Sequence, residues 1–121
     1  MPLLRRDLAN PLCTKVVKDA SANATEEEVQ ASSTIPRFYK GATGSSVAYL
    51  RVFDLTAAAC VVGTNAPDFI WKFPASTTTT LVFLSPAHTF STAFTFAATN
   101  AAGVAGNSNP AQTFAVTIGI E

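Results

Sequence analysis

From Phe73 to Ile120 the chain carries no charged side chain. This stretch interleaves Thr, Ser, Ala, Asn and Gly with Phe, Val, Leu and Ile. Short polar groups on one side and apolar groups on the other are the mark of strands with one wet face. The pattern is sharpest in QTFAVTIGI, where Phe114, Val116, Ile118 and Ile120 fall on one face. Thr113, Ala115, Thr117 and Gly119 fall on the other. The β-branched content agrees with a strand.

The same period of two recurs upstream. AFTFA sets Phe94 and Phe96 against Ala93, Thr95 and Ala97, and DFIWKF places Phe69, Trp71 and Phe73 together. VAYLRVFD divides into Val47, Tyr49, Arg51 and Phe53 against Ala48, Leu50, Val52 and Asp54. That segment and TLVFL (80–84) read as interior strands covered on both sides. Between 19 and 33, Thr25 and Glu28 resemble a helix-start box, but no apolar stripe follows at helical spacing. A strand from about Glu28 through Val29 and Ala31 is the preferred reading.

Turn chemistry separates these runs. GATGSS (41–46) reads as a hairpin-length turn, and LTAAACVVGTNAP (55–67) as a longer connection closed by Pro67. PAST, Ser85-Pro86 and NAAGVAGNSNP (100–110) supply further breaks. Strands at roughly 10–15-residue spacing are the rhythm of a sandwich or barrel. The expected fold is all-β, an antiparallel β-sandwich, jelly-roll-like with about 7–8 strands. Residues 1–18 are expected to form an extended N-terminal arm and 19–121 the sandwich domain.

Composition narrows the function. The 121 residues include eight Lys+Arg and eight Asp+Glu, and 13% are charged, against a usual share of about 25%. Disordered charged tails have the reverse composition. Binding to nucleic acid by phosphate neutralisation needs a basic excess that is missing here. The longest apolar run, Ala57 to Gly63, is far short of the ~20 residues of a membrane helix. No apolar stretch follows Arg5 and Arg6, so a secretory signal is not expected and cytoplasmic synthesis is.

Candidates for chemistry are few. Cys13 and Cys60 stand 47 positions apart in unlike contexts and read as free thiols rather than a bridge. Two Cys and one His cannot complete a structural zinc site without a carboxylate, so no metal or cofactor is expected. His88 has no acidic residue between 69 and 120 and lies outside any G-x-S-x-G context. Glu26, Glu27 and Glu28 read as a solvated run, and Asp54 and Asp68 as turn supports. GATG lacks a P-loop lysine. No enzymatic activity is expected. Tyr39, Tyr49 and Trp71 could form a sugar-stacking platform, although Trp71 in phase with Phe69 and Phe73 equally suits a core.

Several separated motifs occur in a fixed order: Val52-Phe53-Asp54, Val62-Gly63-Thr64, Pro67, Pro74-Ala75-Ser76 and Phe90-Ser91-Thr92. Over roughly residues 28–120 this order resembles small bacteriophage virion structural proteins with a β-sandwich domain. Ala93 departs from the glycine that often follows, and the Asp-rich turn before the last strand is lacking. The resemblance implies a β-sandwich structural protein of the virion, on head or tail, with no catalytic residues to transfer. Taken with the single small domain, the missing active site and the near-neutral, Thr/Ala-rich composition, it leads to the expectation of a capsid decoration (cement) protein on the outer surface of the head shell. Its expected partners are the major capsid protein and copies of itself, as a homotrimer, with neither nucleic acid nor membrane. Leu3, Leu4 and Leu8 would fill apolar grooves of neighbours while Arg5 and Arg6 pair with capsid carboxylates. The alternative is a receptor- or glycan-binding module at a tail or fibre tip, using Tyr39, Tyr49 and Trp71.

Overall fold

A computed structural model of the protein describes residues 13–83 and 88–121. Eight strands lie among them: β1 (Lys15–Asp19), β2 (Glu27–Gln30), β3 (Pro36–Ala42), β4 (Ala48–Phe53), β5 (Phe69–Phe73), β6 (Thr78–Val82), β7 (Phe94–Thr99) and β8 (Ala115–Ile120). They form two four-stranded sheets in the orders β1-β8-β3-β6 and β2-β7-β4-β5, and every pairing is antiparallel.

One long hairpin accounts for both orders. Its tip is β4–β5, and β3 with β6, β2 with β7 and β1 with β8 follow as successive pairs. Rolling it up brings β8 against β3 and β7 against β4. This is the jelly-roll topology, as the strand rhythm led one to expect.

The core lies between the sheets. Phe114, Val116, Ile118 and Ile120 of the C-terminal segment meet Leu50 and Val52 of β4, Phe94 and Phe96 of β7, and Phe73 of β5. Each such side chain taken from water contributes roughly 1.5–3 kcal/mol. A second cluster covers the other face of sheet β2-β7-β4-β5, where Phe53 and Ala97 lie under Cys60 and Val62 of the β4–β5 connection. β4 is therefore covered on both sides, as its sequence predicts.

Three expectations need correction. Residues 15–18, read as part of the arm, belong to β1 and pair with Ile120 through Thr117. The sandwich thus begins four residues before the expected boundary. GATGSS is not the turn of a paired hairpin, because β3 and β4 lie in opposite sheets. Gly41 stays within β3, where a Cβ would stand 2.5 Å from Phe73 Cδ2 and 2.7 Å from Phe114 Cε1. It clears space for two core rings. TLVFL forms no interior strand either: its described part is edge strand β6, with Thr78, Thr80 and Val82 exposed. Its two apolar faces serve different surfaces. Leu81 packs against the core, and Val82 faces outward.

Candidate functional site

Where β3 and β5 begin and β6 ends, the sheets leave an aromatic cleft of about 220 Å³. Pro36 and Tyr39, Phe69 and Trp71, and Phe83, His88 and Phe90 line it. Phe69 stacks on Trp71 at 5.3 Å, nearly parallel, and Trp71 lies 5.3 Å from Phe83. Tyr39 sits 6.0 Å from Trp71 and is only 2% exposed. Such tilted and offset ring pairs favour a rigid apolar wall.

Two polar groups are built into that wall. Burial pushes the Tyr39 phenol well above its ordinary pKa, and the nearby Trp71 indole offsets part of the rise. The two are not aligned as a hydrogen bond, however, and Trp71 Nε1–H is a buried donor with no partner among the described residues. An unpaired buried donor costs about 1–3 kcal/mol, so an acceptor brought to it is favoured.

The residues singled out from the sequence separate. Tyr39 and Trp71 come together in the cleft, but Tyr49 does not join them. It alternates with Leu50, which faces the core, and so lies on the outer side of its sheet. His88 is exposed on the cleft rim, edge-on to Phe69 at 5.0 Å and to Phe90 at 4.8 Å. Leu3, Leu4, Arg5, Arg6 and Leu8 lie outside the described residues. Cys13 and Cys60 are free thiols; burial, with the Glu26 charge beside it, pushes Cys60 up to about 11.

The carboxylates hold loops. The Asp54 side chain accepts the backbone N–H groups of Ser91, Thr92 and Ala93 at 2.8–3.2 Å, and the Ser91 hydroxyl. Burial raises its pKa, but those donors outweigh burial and hold it below the ordinary value. Ala93 fills this turn without a positive φ, so the glycine of the resembled pattern is not required. Asp68 accepts the Asp54 N–H at 2.6 Å. The acidic run is not merely solvated: Glu26 accepts from Val62 N and Glu28 from Ala57 N, pinning the β4–β5 connection over the sheet. Glu27, on the other side of the strand, lies beside the Asp19 charge instead.

Arg51 is fully buried without a carboxylate partner among the described residues. Its guanidinium donates to Thr99 Oγ1 at 2.9 Å and to the carbonyls of Ala101, Gly103 and Val104 at 2.5–3.4 Å. Burial lowers its pKa. Among the described residues, no three His, Cys, Asp or Glu side chains gather as a metal site.

Sequence pattern alone does not mark the outer face of sheet β1-β8-β3-β6. The registers align Val16, Gly119, Phe38 and Val82 in one row across all four strands. A Cβ on Gly119 would stand 2.1 Å from Phe38 Cε2, so glycine lets the ring lie flat on β8. Val16 is 49% and Val82 52% exposed. Lys18, Thr117, Lys40 and Thr80 form the adjacent row. The available signal was Val82 opposed to Leu81 in TLVFL. No family model, curated protein or solved structure matches the chain.

Proposed function

We propose that this protein is a virion assembly part, a capsid decoration protein that seats on the outer surface of a phage head shell. The observation that carries the reading is the apolar row Val16–Gly119–Phe38–Val82, whose end residues Val16 and Val82 stand about half exposed among the described residues while half-buried Phe38 lies over Gly119. The opposite sheet has the outer face of its central strands β4 and β7 covered by its own loops, with Phe53 and Arg51 both fully buried. One face of the sandwich is finished and the other is prepared for a neighbour. Lys18 and Lys40 beside the row suit a shell surface with carboxylates. The virion-protein resemblance of the motif order supports a neighbour in the particle, taken as the major capsid protein, and the jelly roll is a scaffold common to viral shells.

Virion mass spectrometry with copy counting tests the reading. Hundreds of copies per particle are expected, and Val82→Asp should lower occupancy while leaving the fold intact. Absence from the particle, or undiminished occupancy of the variant, overturns it. Deleting residues 2–12 tests separately whether the N-terminal arm adds to attachment.

The cleft favours a second reading, a receptor- or glycan-binding module at a tail tip. Its warrant is the Trp71 donor, which has no partner among the described residues, set among stacked rings. Trp71 is the sole tryptophan, so its fluorescence reports occupancy directly during titration with host-surface oligosaccharides. A shift together with a handful of copies per virion would favour this reading over decoration.

A further inference from the structure

The four edge strands are unequally protected. β1 carries Lys15, Lys18 and Asp19. β2 carries Glu27 and Glu28, shifts register between Glu28 and Gln30, and has its Val29 carbonyl covered by Lys15 Nζ. β5 carries Lys72. Charges, bulges and covering groups are the usual means of blocking edge-to-edge pairing. β6, with the sequence TTTLV and an unbroken register, has none of them among the described residues.

The free groups on β6 follow from its pairing. Thr43 N donates to Thr77 O and Phe83 N to Arg37 O, which fixes the hydrogen-bonded positions of the β3–β6 ladder at odd numbers. Hydrogen-bonded pairs alternate in an antiparallel ladder. The N–H and C=O groups of Thr78, Thr80 and Val82 therefore point away from β3 toward the open edge.

We infer that β6 pairs antiparallel with β6 of a second copy about a two-fold axis at Thr80. Thr80 then faces its own copy, and Thr78 faces Val82 of the partner, so both groups of all three residues are paired. Self-pairing of β2 would oppose glutamates and self-pairing of β1 would crowd lysines, whereas β6 opposes only Thr and Val. Lys40, beside Thr80, would lie three strand spacings from its copy, roughly 14 Å, beyond a Debye length at physiological salt. The result is an eight-stranded sheet that carries two apolar rows on one continuous face. The inference concerns this chain in solution and stands whether or not the head-shell reading does.

Sedimentation velocity over a concentration series tests it. The wild-type chain is expected to move from monomer to dimer, with amide exchange at Thr78, Thr80 and Val82 slowing as the dimer fills. Thr80→Pro removes an edge N–H and no ladder bond, so it should stay folded and monomeric. Thr80→Lys opposes like charges at the axis and should raise the dimer dissociation constant roughly tenfold or more, independently of any backbone change. A chain that stays monomeric throughout overturns the inference. So does a dimer or trimer that persists in Thr80→Lys with those three amides unprotected.

Discussion

Arg51 shows how one residue converts a loop into structure. Residues 100–110 have the composition of a loose connection, yet three of their carbonyls converge on one guanidinium. Arg suits this task because its planar fork presents several donors at fixed angles, which a lysine cannot do. With no carboxylate beside it among the described residues, the guanidinium acts as a clamp on the main chain. Arg51→Met preserves much of the stem but strips the carbonyls and Thr99 of their donor. Each buried group left unpaired costs about 1–3 kcal/mol. The variant is therefore expected to lose at least that much in urea unfolding, with exchange fastest at the amides of 100–110. An unchanged unfolding midpoint would mean that water replaces the clamp without loss.

At the scale of elements, the edges β1 and β2 meet through Asp19 and Glu27. Asp19 Oδ2 is buried with no partner among the described residues, and a proton on Glu27 would give it a donor. Burial, that hydrogen bond and the Asp19 charge together raise Glu27 to about 7. A carboxyl with a raised folded pKa stabilises fully below its unfolded value of 4.5, and that contribution is lost as pH climbs toward about 7. Thermal stability is thus expected to decline between those values. Glu27→Gln should remove the decline and melt higher than wild type at pH 8. A wild-type melting profile flat across this interval would exclude the shared proton. In the sequence, Glu26–Glu28 read as one solvated run because adjacent charges look alike in a string. On a strand they alternate, and each side reaches a different neighbour. β8 was legible for the converse reason: its outer face is Thr, Ala and Gly, so its period of two appears undisturbed. β6 was misread because Leu81 and Val82 are apolar toward two surfaces, and a linear pattern does not distinguish a covered face from one awaiting a partner.

The whole molecule is a single hairpin rolled upon itself, and this is what local sequence could not disclose. Strand rhythm predicted an antiparallel sandwich, but the orders β1-β8-β3-β6 and β2-β7-β4-β5 depend on pairings between distant segments. The cleft was half legible for the same reason. Tyr39 and Trp71 stood out as aromatics, while Phe83, His88 and Pro36 join them only through the roll. The topology also orders the folding. At the tip, Val52 pairs with Phe69, 17 positions on, whereas Lys15 pairs with Ile120, 105 positions on. Closing the longer loop costs roughly 1.5 kcal/mol more, which favours the β4–β5 end as the nucleus and β1 as the last strand to dock. Leu50→Ala, which empties a fully buried site, should cost about 2–5 kcal/mol and slow refolding. Val17→Ala removes two half-buried methylene equivalents, about 1 kcal/mol, and should speed unfolding alone. Stopped-flow chevrons, recorded at dilutions where the monomer dominates, separate the two arms. A Val17 variant that refolds more slowly than wild type would place the terminal strand in the nucleus and reverse this order.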